Sequence, residues 1–549
     1  MMDRHFFIGS MVRSMHVLRQ AVAGKACFSS GVVLALMSVA GAADAQTPSA
    51  DMGEQVQSVA ARDADFTATS RLLEKIRQNP GRLASFMREF PKGADLHNHL
   101  SGAVWAEKYL DWAAEDGKCA DLDTHRITPS PCRDGSIPAA SLASDAAARE
   151  RMIDALSMRD FVPDVNDRSG HDHFFATFEK FQSATEGHEG DMLAEALQQA
   201  AYDHVHYLEL MVSPRLVEAA RAGAKLKVGT DESIRQALDG VKAGNQALVA
   251  GARADMDSAE GRAREILQCG TPSAAAGCAV SVHYLYQALR TIPPGMVLSQ
   301  LALGHELVRT DPRFVGVNIV APEDDVTAMR DYNLHMRMFH VLAKEFPDVP
   351  LSLHAGELAP GLVPPEGLHS HIRQAVEIAG ARRIGHGVDI MQEDDPVGLM
   401  AEMAKKHVMV EINLTSNDEI LGVKGAAHPL MSYRAHHVPV ALSTDDEGVS
   451  RGDLTTEYSR AVRDYPLSYA DMKGLSRAGL EYSFVPGESL WENAGIWKMK
   501  PSCAAASPDA YPETGECHDL LMASEKARLQ WKLEEDFVRF EHRASENSF

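Results

Sequence analysis

Short apolar segments rich in β-branched residues recur along the chain and alternate with stretches of helical periodicity. Helix-like spacing of apolar residues fills most of the gaps after the second segment, for example at 329–344 and 372–379. This alternation is typical of a parallel sheet, because parallel neighbours need a crossover long enough to hold a helix. The pattern predicts eight strands, at 93–100, 205–212, 279–285, 314–320, 349–354, 383–390, 408–414 and 438–443.

Eight strand–helix units predict an α/β fold of the closed (β/α)8 barrel type. We assign the barrel domain to 91–549, with a long insertion of helices and loops after the first strand. A helical extension at 46–90 precedes it. A final helix is expected near the C-terminus, where apolar residues lie at helical spacing: Leu529, Leu533, Phe537 and Phe540.

The first 45 residues have the pattern of a secretory signal peptide. Residues 1–25 carry Arg and Lys with a single acid, and the apolar run 31–41 leads to Ala43-Asp44-Ala45, a small-x-small cleavage site. The apolar run is shorter than the ~20 residues that span a bilayer, and no later segment is long and apolar enough. We therefore expect an exported protein, periplasmic or secreted, without a membrane span.

Cysteine spacing agrees with export. Of seven cysteines, Cys27 lies in the predicted signal peptide and the other six are close together in pairs. Six cysteines allow 15 connectivities, but the clustering favours local disulfides, which an oxidising compartment would close. None has the CxxC spacing of a zinc ribbon. The predicted bonds are Cys119–Cys132, Cys269–Cys278 and Cys503–Cys517.

The charge balance excludes some classes of partner. Acidic residues outnumber basic ones, 77 to 54, which gives a formal charge of −23. Binding to nucleic acid or to an anionic membrane surface requires clustered Lys and Arg instead. We expect neither partner.

Titratable side chains stand where four predicted strands end. His97 and His99, at the end of the first strand, are two residues apart and point to the same face. Active sites of (β/α)8 barrels form at the C-terminal ends of the strands, so these groups should meet there. The fifth, sixth and eighth strands contribute His354, Glu357, His386, Asp445 and Asp446.

Three imidazoles and a carboxylate suit a borderline-soft divalent ion. Zinc fits first, although iron or cobalt could occupy the same ligand set. Such an ion lowers the pKa of a bound water from 15.7 to about 7 and so supplies hydroxide at neutral pH. The sequence therefore predicts a hydrolytic metal site.

Four motifs resemble those of the adenosine deaminase family. They are PKGADLHNHLSGA at 91–103, HAGE at 354–357, GHG at 385–387 and STDD at 443–446, in the family's order. Export, the helical extension and the early cysteine pair make the chain most similar to the secreted, growth-factor-related branch. That branch resemblance implies a possible homodimer through 51–90.

The resemblance implies a role for each motif residue. Glu357 would protonate purine N1, His386 would orient the attacking water and help take its proton, and Asp446 would hold N7. One Zn²⁺ per chain would be bound by His97, His99, His354 and Asp445.

Two positions depart from the family pattern. An acidic residue that contacts the sugar 5′-hydroxyl is common where this chain has Ser101. The motif GxDLxG reads here as 316–321, with Asn318 in place of Asp and Ala321 in place of the last Gly. Ala321 keeps the backbone N–H that would bind purine N3, so the departures concern the sugar side of the pocket.

An apolar helix in the insertion is a candidate lid. Phe174, Phe178 and Phe181 share one helical face, with Phe175 beside them. These rings either pack the helix on the barrel or line a purine pocket, and the spacing allows both.

The expected reaction is hydrolysis of adenosine or 2′-deoxyadenosine to the inosine product and ammonia. A deaminase of adenine or another modified aminopurine is one alternative, and an amidohydrolase acting on an amide or ester is another. A third is a non-catalytic extracellular binding protein on the same fold. Intact Glu357 and His386 favour the deaminase, and undamaged ligands disfavour the binding protein.

Overall fold

The computed structural model describes residues 50–165 and 167–546. The chain divides between Gln57 and Ser58, and the barrel lies in the second unit, Ser58–Phe549. The predicted signal peptide, 1–45, lies outside the described residues. Within the described ranges, no helix is both long and apolar enough to cross a bilayer.

Eight parallel strands form the centre of the second unit. The first four pair in chain order, and so do the last four. Bridges between Asn98 and Asp445, and between Val317 and Leu351, join these two sheets at both edges and close the barrel. The strands are β1 Gly93–His99, β2 Val205–Val212, β3 Ser281–Leu289, β4 Phe314–Val320, β5 Ser352–Ala355, β6 Arg383–His386, β7 Met409–Ile412 and β8 Val440–Leu442. The predicted (β/α)8 fold is confirmed.

Helices cover the outer face of the barrel, which explains why nearly every strand residue is buried. In chain order the α-helices are α1 Ala50–Ile76, α2 Pro80–Glu89, α3 Ala106–Glu115, α4 Ala146–Ala155, α5 Gly170–Thr185, α6 Glu189–Tyr202, α7 Leu216–Gly223, α8 Asp231–Ile266, α9 Pro294–Thr310, α10 Val326–Glu345, α11 His371–Gln374, α12 Pro396–Lys406, α13 Leu414–Leu421, α14 Leu430–Ala435, α15 Leu454–Asp464, α16 Tyr469–Glu481, α17 Gly515–Ala523 and α18 Glu525–Ser545.

Strand boundaries differ from the sequence prediction by one to four residues at several places, most clearly in β3 and β6. The third strand was predicted at 279–285, but Ala276–Ala279 is a 3₁₀ turn and β3 continues to Leu289. The sixth was predicted to reach 390 but ends at His386, because His386 and Gly387 adopt positive φ angles of 70° and 56°. Left-handed residues cannot continue a strand.

The predicted insertion lies between β1 and β2 and contains α3 to α6. It also holds a small antiparallel sheet of Cys119–Asp121, Arg126–Thr128 and Ser136–Pro138. At the other end of the chain, α18 packs Phe537 and Phe540 against Phe90, with ring centroids 5.5 and 5.6 Å apart. The predicted C-terminal helix is therefore confirmed.

Three disulfide bonds join the predicted cysteine pairs. The bonds are Cys119–Cys132, Cys269–Cys278 and Cys503–Cys517, with Cα–Cα distances of 5.4, 5.5 and 4.7 Å. Each closes a short surface loop, which removes roughly 3 kcal/mol of chain entropy from the unfolded state in the loop-closure model. The local pairing is confirmed.

Candidate active site

Four of the predicted residues converge at the C-terminal mouth of the barrel. His97 and His99 come from β1, His354 from β5, and Asp445 follows β8. Their potential ligand atoms all lie within 4.8 Å of one another, and all four residues are buried. The structure thus brings together side chains that are up to 348 positions apart.

The distances within this cluster match the edges of a metal tetrahedron. Asp445 Oδ1 lies 3.4 Å from His97 Nε2 and 3.3 Å from His99 Nε2. The Nε2 atoms of His99 and His354 are 3.3 Å apart. Two ligands at about 2.0–2.1 Å from a tetrahedral ion are separated by about 3.3–3.4 Å, so the geometry fits a zinc-sized ion.

His97 supplies an independent test of that fit. Its Nδ1 lies 2.7 Å from Glu411 Oε2, whereas its buried Nε2 has no hydrogen-bond partner among the described residues. Burial opposes ionisation of Glu411, but Arg383, His97 and Ser352 together outweigh it and lower the pKa of Glu411 to about 2. An ionised carboxylate only accepts, so Nδ1 carries the hydrogen and the lone pair of Nε2 faces the cluster.

The cluster also attracts positive charge. Burial opposes protonation of His97, yet the nearby carboxylates of Asp445 and Glu411 raise its pKa to about 10. A bound cation would satisfy the same carboxylates without a proton. The donor set therefore fits a divalent metal.

Glu411 was missed by the sequence analysis. It accepts from Ser352 and from Arg383 at 2.7 and 2.6 Å, and Arg383 in turn pairs with Glu209 at 2.5 Å. All four side chains are buried inside the barrel. A lone glutamate within the apolar run 408–414 was the available signal, because a buried charge needs a partner.

Glu357 lies beside the metal cluster on the loop after β5. Its Oε1 is 3.6 Å from His386 Nε2, and its side chain is 6 % exposed. Burial, together with the charge of Asp445, raises the pKa of Glu357 well above its usual range. The shift favours the protonated carboxyl over the carboxylate.

A second buried glutamate holds the loop that carries Glu357. Glu323 accepts from the backbone N–H groups of Gly356 and Glu357 at 3.2 and 2.9 Å, and from His371 Nδ1 at 2.6 Å. Burial opposes its ionisation, but Arg290 and His371 lower its pKa to about 2. Glu323 lies outside the four motifs and was not predicted from the sequence.

A chain of hydrogen bonds fixes the tautomer of His386. The backbone N–H of Leu430 donates to His428 Nδ1, 3.2 Å away, so neutral His428 carries its hydrogen on Nε2. His428 Nε2 donates that hydrogen to Asn417 Oδ1, 3.0 Å away. The amide nitrogen Nδ2 of Asn417 then faces His386 and donates to its Nδ1 at 2.9 Å. Burial lowers the pKa of both histidines, His428 to about 4 and His386 to about 3. Neutral His386 therefore presents an Nε2–H to the site.

Asp446 packs directly against the loop after β1. A Cβ added at Gly102 would lie 1.6 Å from Asp446 Oδ1, so this contact requires glycine. Oδ1 has no hydrogen-bond partner within the described part of the chain. Burial raises the pKa of Asp446 to about 8, which makes it a carboxylic acid able to donate at neutral pH.

The two departures from the motif pattern follow different strands of the barrel, β1 and β4. Ser101 borders a cavity of about 760 Å³ between the ends of β1, β2 and β3 and helices α6 and α8. Ala321 follows β4 with a φ of 84°, and its carbonyl accepts from Arg290 Nε at 2.7 Å. Ala321 thus has the left-handed backbone conformation that glycine adopts easily, at a cost of roughly 1–2 kcal/mol for alanine.

The phenylalanines of α5 mainly pack the insertion. Phe181 is buried and stacks on Tyr109 of α3 at 4.6 Å, and Phe174 is also buried. Phe175 and Phe178 are only partly buried. The start of α5 reaches the loop after β4, where His171 Nε2 lies 2.9 Å from Asp324. These contacts support the packing interpretation and leave the purine-lining role a prediction.

Comparison with known proteins identifies a family for the chain. The family model described as adenosine deaminase matches residues 154–492, more than half of the chain, including β5, β6 and β8. An adenosine deaminase of Clostridium perfringens strain SM101 is 29% identical over 185 residues, 34% of this chain and 52% of that protein. One from Escherichia coli strain SE11 is 35% identical over 139 residues, 25% of this chain and 38% of that protein. The chain thus spans about half or less of these relatives.

Solved structures with a similar arrangement are more distant in sequence. An Arabidopsis N6-mAMP deaminase has 19% identity and a TM-score of 0.48, with 73% of this chain and 96% of that chain covered. An adenine deaminase of Arthrobacter aurescens has 18% identity and a TM-score of 0.47, with 72% and 94% covered. None of these matches tests the growth-factor-related branch. On the extent of the family match, the chain belongs to the adenosine deaminase family.

Proposed function

We propose that the protein is a zinc-dependent hydrolase that deaminates adenosine or 2′-deoxyadenosine to the inosine product and ammonia. The observation that carries the proposal is the placement of a metal-sized ligand cluster beside the buried Glu357, whose pKa is raised well above its usual range. Attack on an aromatic C6 needs both a strong nucleophile and an acid on the ring nitrogen. Family membership supports the same reaction.

The metal would be held by the four residues of the cluster. Bound zinc would lower the pKa of water to about 7 and so supply the nucleophile at neutral pH. The lone pair of His97 Nε2 and the charge of Asp445 support this ligand set. Zinc is preferred over other divalent ions because three imidazoles and one carboxylate suit it.

Glu357 and His386 would perform complementary tasks at C6. Glu357, whose pKa is raised by burial, would give a proton to N1 and so draw electron density from C6. His386 would donate its Nε2–H to the attacking water and orient it. Proton acceptance by His386 at Nε2, its second expected task, would require Asn417 to reverse its amide.

The remaining predicted residues would orient the purine. Asp446, as a neutral acid, would donate to N7, and the backbone N–H of Ala321 would donate to N3. C6 would gain the water oxygen and lose its amine as ammonia. Ser101 would face the sugar, next to the cavity of about 760 Å³.

The cellular setting is also a proposal. A predicted signal peptide and three disulfides support export to the periplasm or beyond. A homodimer through 51–90 rests on the branch resemblance alone.

A substrate panel tests the reaction. Zinc-loaded protein is assayed by absorbance on adenosine, 2′-deoxyadenosine, adenine, AMP and N6-methyladenosine. We expect the highest kcat/KM on one of the two unmodified nucleosides. A higher value on adenine or N6-methyladenosine would establish the alternative deaminase, and no turnover by zinc-loaded protein would favour the binding protein.

Ser101 gives a second expected outcome. Serine is neutral, so a substrate 5′-hydroxyl should gain less from it than from a carboxylate, by about 1 kcal/mol. Wild type should therefore discriminate little between adenosine and 5′-deoxyadenosine, and Ser101→Asp should shift kcat/KM toward adenosine by about fivefold. Ser258→Asp, on the α8 side of the cavity, is the control for added charge. Unchanged ratios in folded, zinc-loaded Ser101→Asp would show that Ser101 does not contact the sugar.

A further inference from the structure

Asn318 of β4 makes two contacts with His354. Its Oδ1 lies 3.1 Å from the backbone nitrogen of His354 and 3.1 Å from Nδ1 of the same residue. Asn318 is fully buried, so no solvent competes for these contacts. In the sequence, Asn318 stands where the family motif commonly has Asp.

The contact with the backbone settles which tautomer His354 adopts. A backbone N–H is always a donor, so the amide atom that faces it must be the oxygen. The same oxygen faces Nδ1, which must therefore carry a hydrogen. The lone pair of His354 is left on Nε2, the atom that lies 3.3 Å from His99 Nε2 in the metal cluster.

The three histidines of the cluster are held by different partners. His97 Nδ1 faces the carboxylate of Glu411 at 2.7 Å, whereas His99 Nδ1 faces the amide of Gln287 at 2.8 Å. A carboxylate partner makes an imidazole a stronger metal ligand, and an amide partner orients it without adding charge. Two of the three ligands thus have neutral partners in this chain.

We propose that Asn318 is a positioning residue that fixes His354 in its metal-binding tautomer and, because it is neutral, weakens the hold of the site on its metal. The inference rests on the proposed metal site and goes beyond it. It concerns how fast the metal leaves, a property that the ligand set alone does not determine.

The substitution Asn318→Asp would change the charge at this position and leave the shape of the side chain almost the same. Asn318 Oδ1 already receives three N–H groups, from His354 N, His354 Nδ1 and Ile319 N at 2.7 Å. These N–H groups would therefore stabilise the ionised form of an aspartate of the same shape at this position. Its second oxygen would face Met211 Sδ, which lies 3.2 Å from Asn318 Nδ2.

The experiment compares metal release from zinc-loaded wild type and Asn318→Asp. Each protein is mixed with excess dipicolinate at one pH, and zinc release is followed with a chromogenic chelator. We expect release from Asn318→Asp to be at least about 10-fold slower, the lower end of effects seen for groups behind metal ligands. Gln300→Glu is the matched control, because Gln300 is buried and accepts from the backbone of Leu289 at 2.9 Å but contacts no ligand.

A purely structural Asn318 would give a different result. Aspartate also accepts from the backbone of His354, so a residue that only secured the loop would leave the release rate unchanged. That result would overturn the inference alone. The ¹⁵N shifts of His354 in metal-free wild type provide a second readout, and a hydrogen on Nε2 instead of Nδ1 would also overturn it. Wild type that binds no zinc would overturn the metal site and the inference together.

Discussion

Asp445→Asn is expected to remove the bound metal and, with it, measurable deamination. Asp445 is the one carboxylate of the four-residue cluster, and its Oδ1 lies 3.3–3.4 Å from two imidazole nitrogens. Asparagine keeps the shape but not the charge, which leaves three neutral imidazoles to bind a dication. It also tolerates the left-handed backbone of this position, where φ is 62°, so the fold should be retained.

The measurement is metal content per chain together with kcat/KM. We expect substoichiometric zinc and a fall in kcat/KM beyond the roughly 100-fold that changes behind the ligands produce. His354→Ala should behave in the same way. Glu447→Gln is the control, since Glu447 is a buried acid two residues away that contacts Asn98 at 3.2 Å and lies outside the cluster. Stoichiometric zinc and normal turnover in Asp445→Asn would refute the ligand assignment.

The barrel strands and the metal cluster could be predicted because the sequence features that indicate them lie within short segments of the chain. Strand ends were visible as changes from apolar to titratable residues, and parallel strands bring their C-terminal ends to one face. His97, His354 and Asp445 could therefore be placed together before any contact was known. The three disulfides were predictable for a similar reason, since each joins cysteines only 9 to 14 positions apart.

The residues behind the site were not predictable in the same way. Glu411 meets His97 across 314 positions, and Glu209 meets Arg383 across 174. No feature of the nearby sequence indicates which residue each of these side chains contacts. In the sequence, each glutamate is a single charged residue within an apolar segment. The end of β6 was missed because the turn at His386 depends on a backbone conformation that non-glycine residues rarely adopt.

Glu357→Gln is the second substitution with a large expected effect. Glutamine keeps the shape of the protonated carboxyl and can still hydrogen-bond to N1, but it cannot transfer a proton. We expect kcat to fall by about 10²–10⁴, the usual contribution of acid–base catalysis, while zinc remains bound. Retention of metal separates this variant from Asp445→Asn.

The pH dependence of kcat also tests whether Glu357 acts as the acid. Burial and the charge of Asp445 raise the pKa of Glu357, and the proposed mechanism requires its protonated form. Wild-type kcat should therefore fall as pH rises through that raised pKa, and the residual rate of Glu357→Gln should lack this decline. Glu419→Gln is the control, because burial also raises the pKa of Glu419, to about 8, at a position outside the cluster. If zinc-loaded Glu357→Gln keeps a near-wild-type kcat with an unchanged pH profile, the proton on N1 comes from another group.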